Sequence, residues 1–504
     1  MSEYGVRSRI GLFVGPILFI IIYFIPTPEG MSTEAQRVGA IAALMAAWWV
    51  SEALPIPAIA LIPIAFFPVF DIASSQAVTD QYANHIIYLF MGGFLIAVTM
   101  ERWNLHKRVA LNIINIVGVG PAKIILGFMV ASAFLSMWIS NTATAMMMVP
   151  IGLAVIKQAQ DIIREQKISG VDPSPYKFNF AIALMLGIAY ACSIGGIGTI
   201  IGTPPNTVFV GVVESLFDQQ ISFVVWMMYG IPLSILMLGI TWIYLIRFAY
   251  PLEIRELPGG KEFIREEIKK LGPITKEEFR VLLVFSGVAL AWITRGFVDM
   301  GEVHDSTIAI FGALLLFAIP SDYKKGIFLL DWKTAVKIPW GIIILFGGGL
   351  AVAHGFSETG LAEWIAQRLT VLEGQNIIIL LFAVTALTIF LTELTSNTAT
   401  ATMLMPILSS MAIAMAIHPY GLMVAAAIAA SFAFMLPVAT PPNAVVFGSS
   451  FITIPHMAKA GIWLNIIGII MVTLFSFIAM PIIWGVDLTA LPEWISTNIL
   501  NNSN

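Results

Sequence analysis

Charge is scarce in this sequence. Lys, Arg, Asp and Glu together make up 11% of its 504 residues, against roughly a quarter in a soluble globular protein. The net charge of −4 says little by itself, because the distribution of charge matters more; no nucleic-acid partner is expected. A single cysteine, Cys192, excludes an intrachain disulfide and any multi-cysteine metal site. It reads as a small packing residue among glycines. The six histidines (85, 106, 304, 354, 418 and 456) are scattered, and none forms an HExxH pair. An enzyme would need a nucleophile–base pair or a metal cluster, and the chain is not read as one.

What the chain has instead is apolar length. Hydrophobic residues reach 58%, with long runs at Ile10–Pro26, Ala83–Met100 and Ile462–Trp484. Runs near 20 residues match the roughly 30 Å hydrocarbon core of a bilayer. An all-α polytopic membrane protein is predicted, with about eleven crossings: 10–26, 36–54, 56–70, 82–100, 179–213, 222–250, 279–297, 304–320, 338–354, 420–452 and 460–485. The third is short and proline-rich and is expected to be irregular. Two further segments, 121–156 and 376–416, read as re-entrant hairpins. No small-residue cleavage site follows "FIPTPEG", so the first run is not expected to be a cleaved signal peptide. Trp48, Trp49 and Trp484 suit interfacial belts, and Glu52 reads as interfacial.

Lysine and arginine orient these spans. With the N-terminus inside, 23 of 26 fall in inner segments, and only Arg37, Arg295 and Arg368 fall outside. The outer loops 71–81 and 214–221 carry acids and no base. Because positive residues resist translocation, the bias supports a cytoplasmic N-terminus and an outside C-terminus in a bacterial plasma (inner) membrane. The polar stretch Pro251–Arg280 reads as a solvated cytoplasmic linker. A glycosylation-type triplet at Asn501 sits at the very end and carries little weight.

Three phrases are written twice. "SNTATAMMMVP" (Ser140–Pro150) returns as "SNTATATMLMP" (Ser396–Pro406), identical at eight of eleven positions and 256 residues later. "LFMGG" at Leu89 returns as "LFGGG" at Leu345, and "GTPPNTVFVG" at Gly202 as "ATPPNAVVFG" at Ala439. The order is the same in each half, and an odd number of crossings separates the two starts, so the second unit is inverted. Inverted repeats are a common architecture of secondary transporters, with the site where the repeats meet. The divisions are an N-terminal span 1–35, a first repeat 36–250 (hairpin 121–156, broken helix 179–213), a linker 251–278, a second repeat 279–485 (hairpin 376–416, broken helix 420–452) and a tail 486–504.

Thr-Pro-Pro-Asn cannot continue a helix, since neither proline has an N–H to donate and the second restricts the first. Non-helical backbone at membrane depth is tolerated only where protein or a watery cavity satisfies it. Ser, Asn and Thr at a hairpin tip add small donors and acceptors without a buried charge. These hard oxygens suit Na⁺ or another hard cation, while helix N-termini suit an anion. The repeated phrases hold no Lys, Arg or His, so a multiply charged anion needs outside compensation, which bound sodium would supply. Glu393 stands three residues before Ser396; it could carry a proton, ligate sodium or accept backbone N–H groups. Met137 holds its place in the first half.

Taken in order, "SMWISNTATAMMMVP", "GTPPN", "LTELTSNTATATMLMP" and "LPVATPPNAVVFG" resemble the divalent anion–sodium symporter family, which includes sodium-coupled dicarboxylate and citrate cotransporters. The resemblance covers nearly the whole chain. It implies a lipid-embedded homodimer in which a transport part, with both hairpins and both broken helices, moves against a scaffold as an elevator. It implies one Na⁺ site at Ser136, Ser140, Asn141 and the backbone near Gly202. The other is implied at Thr392, Thr395, Asn397 and the backbone at Ala439. The substrate would meet Ser140, Asn141 and Thr142 with Thr203 nearby, and Ser396, Asn397 and Thr398 with Thr440 and Pro441. C4 dicarboxylates such as succinate, malate and fumarate are favoured. A sodium-independent exchanger of the same fold, a citrate or sulfate carrier, and a channel stay open as alternatives.

Overall fold

The computed structural model describes residues 5–118, 120–165, 171–254, 260–298, 300–369 and 374–495. The triplet at Asn501 and parts of the linker and tail lie outside the described residues. Strand is confined among them to Pro320–Asp322 paired antiparallel with Ile327–Phe328; the rest is helix and connection.

The first half runs α1 (Val6–Phe24), α2 (Thr33–Ser51), α3 (His85–Arg102), α4 (Pro121–Ser136), α5 (Asn141–Glu165), α6 (Asn179–Gly196), α7 (Pro204–Phe217) and α8 (Phe223–Tyr244). The second half runs α9 (Lys276–Arg295), α10 (Asp305–Ala318), α11 (Trp340–Glu358), α12 (Ile377–Thr392), α13 (Asn397–Ala414), α14 (Pro419–Ala429), α15 (Pro441–Phe447) and α16 (Ile454–Trp484). Seven helices among the described residues are long and apolar enough to cross a membrane. The protein is therefore integral to a membrane. On α1, Ile10, Phe13, Ile17, Ile21 and Phe24 are all exposed at helical spacing, as a lipid-facing stripe requires.

Short-range chemistry sets the element ends. The Ser32 hydroxyl caps α2 by accepting from Ala35 N at 3.0 Å, and Thr275 with Glu278 forms a reciprocal capping box at α9. Both Thr-Pro-Pro phrases act twice. The proline pairs hold Thr203 (φ −147°) and Thr440 (φ −137°) extended, then occupy the first positions of α7 and α15, where a missing N–H costs nothing. Each phrase thus ends one helical stretch and starts the next.

Helices α6 and α14, which precede these breaks, are buried on nearly every side. They form the centre of the molecule. The breaks meet there: Thr203 Oγ1 lies 3.3 Å from Ser431 Oγ, and Tyr190 Oη donates to Phe434 O at 2.9 Å. Close approach excludes side chains: a Cβ on Gly461 of α16 would lie 2.2 Å from Phe434 O. Cys192 is fully buried on α6, in keeping with a packing role.

Several sequence-based expectations need correction. The segment 71–81 was expected to be a loop and contains helix Ser75–Tyr82; the inner segment 101–123 contains helix Leu105–Val117; and helix Leu361–Leu369 follows α11. These mixed apolar and polar stretches lack the continuous apolar run that marks a crossing. The third expected crossing is two short pieces, Ile56–Ile59 and Ile62–Val69, and is irregular as anticipated. Trp49 is not a belt residue. It is 2% exposed, and its indole N–H donates to Ile56 O. Trp484 packs among Phe209, Trp226 and Tyr229 and donates to Val225 O. Each indole N–H has a backbone acceptor within the protein.

Candidate functional site

The two repeated Ser-Asn-Thr phrases line one cavity of about 470 Å³. All nine residues expected to meet substrate line it: Ser140, Asn141, Thr142, Thr203, Ser396, Asn397, Thr398, Thr440 and Pro441. Of the expected ion ligands, Gly202, Thr395 and Ala439 line it as well, together with Ser140, Asn141 and Asn397. Ser136 and Thr392 are fully buried behind the tips. From there the Ser136 hydroxyl donates to Asn141 Oδ1, and the Thr392 hydroxyl donates to Asn397 Oδ1 at 2.7 Å. The same bond appears in both halves at equivalent positions.

The breaks are tied by the same rule. Asn206 Nδ2 donates to Gly196 O at 3.2 Å and Thr199 O at 2.7 Å. Asn443 Nδ2 donates to Ala433 O and Leu436 O, both at 3.0 Å. Each asparagine collects two carbonyls freed by the end of a helix. The Oδ1 atoms of both are buried without a hydrogen-bond partner, which leaves hard oxygen available to a cation. Sequence reasoning assigned these asparagines no individual role, although each is the fourth letter of a repeated phrase.

Near tip one, a Cβ built on Gly196 would lie 3.0 Å from Asn141 Oδ1 and 3.1 Å from Gly202 O. Two oxygens therefore border one small gap that any side chain at position 196 would fill. Asn141 Nδ2 lies beside them at 3.2 Å; the two oxygens are hard donors of the kind that suit Na⁺. The counterpart of position 196 in the second half is Ala433, which carries a Cβ where Gly196 has none.

Only one wall of the cavity is polar. Tips and breaks form it, and α5, α7, α13 and the short α15 all begin there; α5 and α13 bring first-turn backbone N–H groups, whereas α7 and α15 open on proline pairs that have none. Ile56, Phe90, Phe94, Ile342 and Leu345 contribute an apolar part of the lining. Among the described residues no Lys, Arg or His lines the cavity, and Glu52 is the one charged residue in its lining. Glu52 sits at the mouth, 52% exposed and 3.0 Å from Arg7. Pro339 and Gly341 flank the same end. That end is the Arg102 face of the molecule, since Arg102 pairs with Asp331 at 2.8 Å just ahead of α11.

Glu393 does not line the cavity. Its Oε1 accepts from Phe434 N at 2.7 Å, Met435 N at 2.8 Å and Asn465 Nδ2 at 2.8 Å, and its Oε2 from Leu436 N at 3.1 Å. Of the three roles open from sequence, this geometry is that of an acceptor binding tip two to break two. At tip one a neutral bond does that work: Thr199 Oγ1 donates to Met137 O at 2.5 Å.

Fold and site together define an integral membrane transporter. The profile described as "Sodium:sulfate symporter transmembrane region" matches residues 8–485, and the chain belongs to that family. It is 45% identical to the sodium-dependent dicarboxylate transporter SdcS of Staphylococcus saprophyticus, over 97% of this chain and 94% of that one. It is 46% identical to SdcS of Staphylococcus aureus, with the same coverage. Among solved structures, it resembles MtrF of Neisseria gonorrhoeae at a TM-score of 0.57 and 11% identity, covering 95% of this chain and 96% of that one. The Alcanivorax borkumensis YdaH transporter follows at 0.54 and 9%, covering 95% and 99%. At such identities these two speak for the fold alone.

Proposed function

We propose that this chain imports C4 dicarboxylates such as succinate, malate and fumarate together with Na⁺. The observation that carries the reading is a cavity lined by oxygens and helix N-termini from both repeats and, among the described residues, by no basic side chain. A dianion at mid-membrane needs compensation of several kcal/mol, and bound sodium is the cation such a donor set can supply. The names of the 45–46% identical relatives point to the same ion and substrate class.

In this reading α4–α5 and α12–α13 are re-entrant hairpins within inverted repeats 36–250 and 279–485. Sodium at tip one is held by Ser140, Asn141 and the Gly202 carbonyl, with Ser136 orienting the amide. Sodium at tip two is held by Thr395, Asn397 and the Ala439 backbone, with Thr392 in the corresponding place. The carboxylates lie between them, on Asn141–Thr142 and Asn397–Thr398, near Thr203 and Thr440. Because the polar lining belongs to tips and breaks and residues from outside them, Ile56, Phe90, Phe94, Ile342 and Leu345, are apolar, the tip-bearing body can slide past those residues with its cargo. This is an elevator movement, in a protomer expected to pair as a homodimer. The Lys and Arg bias puts the Arg102 face in the cytoplasm, so the cavity is open inward.

The test is uptake of labelled succinate into proteoliposomes free of internal substrate, with an inward Na⁺ gradient or with choline in its place. Saturable uptake only with Na⁺ supports the reading, and competition by citrate and sulfate ranks the substrates. Uptake that ignores Na⁺ but requires internal carboxylate identifies an exchanger and overturns it.

A further inference from the structure

A second cavity, of about 410 Å³, shares no lining residue with the transport cavity. It is walled by α2 with the small residues Gly39, Ala42 and Ala46, by α11 with Val352 and Phe356, by helix Leu361–Leu369, and by α13, the helix of tip two. Small residues on α2 leave room where larger ones would close the gap between α2 and α13.

The lining holds no charged side chain among the described residues and four polar ones, Gln36, Trp49, Trp364 and Thr402. All four are engaged within the protein. Gln36 Nε2 donates to Ile22 O and Ile25 O, both at 2.8 Å, and Gln36 Oε1 accepts from Thr27 Oγ1 at 2.6 Å. Thr402 Oγ1 donates to Thr398 O at 2.8 Å. The indoles of Trp49 and Trp364 donate to Ile56 O and Glu29 O. Water in a cavity needs roughly two to four polar partners, and the donors of this lining are taken. The space suits an apolar occupant.

Its opening says where that occupant comes from. Ile25, just past α1, and Ile407 of α13 lie in the lining and are 45% and 40% exposed, so the cavity opens between α1 and α13. Ile22 and Ile25 adjoin Ile21 and Phe24 of the lipid-facing α1 stripe. What meets the opening is therefore the hydrocarbon of the bilayer. An alkyl chain that enters leaves one apolar medium for another, so burial of area drives nothing. What it gains is the packing that an unfilled void forfeits. The volume of about 410 Å³ lies within the roughly 300–1,000 Å³ of small-ligand sites.

We propose that this cavity binds one acyl chain of a membrane phospholipid, which enters between α1 and α13 and fills the space between α2 and the helix of tip two. The site stands on the shape and chemistry of this cavity and on its membrane setting. It does not depend on which solute the protein carries.

The experiment is photolabelling of the full-length protein in liposomes of phosphatidylcholine and phosphatidylglycerol, with a trace of phosphatidylcholine carrying a diazirine near the end of one acyl chain. Val352 and Phe356 are 7% and 6% exposed, so label on that stretch of α11 reports the cavity and not the outer surface. Label on the exposed α1 stripe, at Ile10–Ile17, is the internal standard. The expected result is label on α11 at Val352–Phe356 and on α13 at Met403–Ile407. A Cβ at Gly39 would meet only Leu361 Cδ2, at 3.8 Å, so this position accepts a side chain and Gly39→Leu plugs the space. That variant should lower the α11 label about tenfold relative to the α1 stripe, equivalent to about 1.4 kcal/mol of lost binding. Ala46→Leu, two turns along the same face, plugs it as well if Gly39→Leu fails to fold. Label confined to α1 would overturn the site, as would α11 label that a folded plug variant leaves unchanged. Label at Val352–Phe356 from a photoreactive free fatty acid, and none from the phospholipid, would overturn the phospholipid as its source. None of these readouts involves Na⁺-dependent uptake, so the transport reading stands or falls separately.

Discussion

Asn141 and Asn397 each open a helix at the cavity wall, and each accepts a hydroxyl proton from a residue five positions earlier, Ser136 or Thr392. One oxygen thus helps close the tip and also remains beside the space where an ion would sit. Removing either amide takes away both functions. Asn141→Ala and Asn397→Ala should leave a folded protein whose apparent Na⁺ affinity drops at least about tenfold. A hydrogen bond to a charged group is worth roughly 1.5–3 kcal/mol, and each 1.4 kcal/mol is about tenfold. Sodium titration of uptake in each variant is the check, and unchanged Na⁺ dependence in both would remove these residues from the ion sites. Both residues were legible because the phrase is written twice. Their hydroxyl partners came only with the family resemblance, since Ser136 and Thr392 are different residues and no letter repeats there.

Among the elements, the two halves share a plan but not every fastening. Break two hangs on the Glu393 carboxylate, which takes three backbone N–H groups and the Asn465 amide. At break one Thr199 donates to the Met137 carbonyl in the corresponding place. Glu393→Ala would strand several buried donors at about 1–3 kcal/mol each, so it should lower thermal stability in detergent by more than about 3 kcal/mol. Glu393→Gln keeps one acceptor oxygen and should sit between. Equal melting temperatures for all three proteins would contradict the fastening role. The tips and breaks were legible in the sequence because proline and repeated polar letters are local signals. Helices Ser75–Tyr82, Leu105–Val117 and Leu361–Leu369 were not, because mixed polarity reads as loop until a neighbouring surface takes the apolar side. The cavity between α2 and α13 was not legible either; only tertiary packing brings its walls together.

For the whole molecule, the account requires the cavity mouth to lie on the side of the membrane away from Ser74 and Asp218. In the proposed orientation the mouth faces the cytoplasm. Cysteines at Ser74 and Asp218, both exposed, should label with an impermeant maleimide from outside in intact cells, and one at the exposed Lys324 only after permeabilisation. The single native cysteine is buried and should give little background. Labelling of Lys324→Cys in intact cells would reverse the orientation.

The central claim is that sodium prepares a site with no positive side chains for a dianion. Coupling between the two ligands is then obligatory and reciprocal, and a typical 1–3 kcal/mol appears as roughly a 5- to 150-fold change in affinity. Calorimetric titration of succinate into the purified protein at high and at low Na⁺, with choline holding ionic strength constant, measures it directly. The account predicts succinate binding tighter at high Na⁺ by a factor in that range. Equal affinity in the two buffers would contradict it.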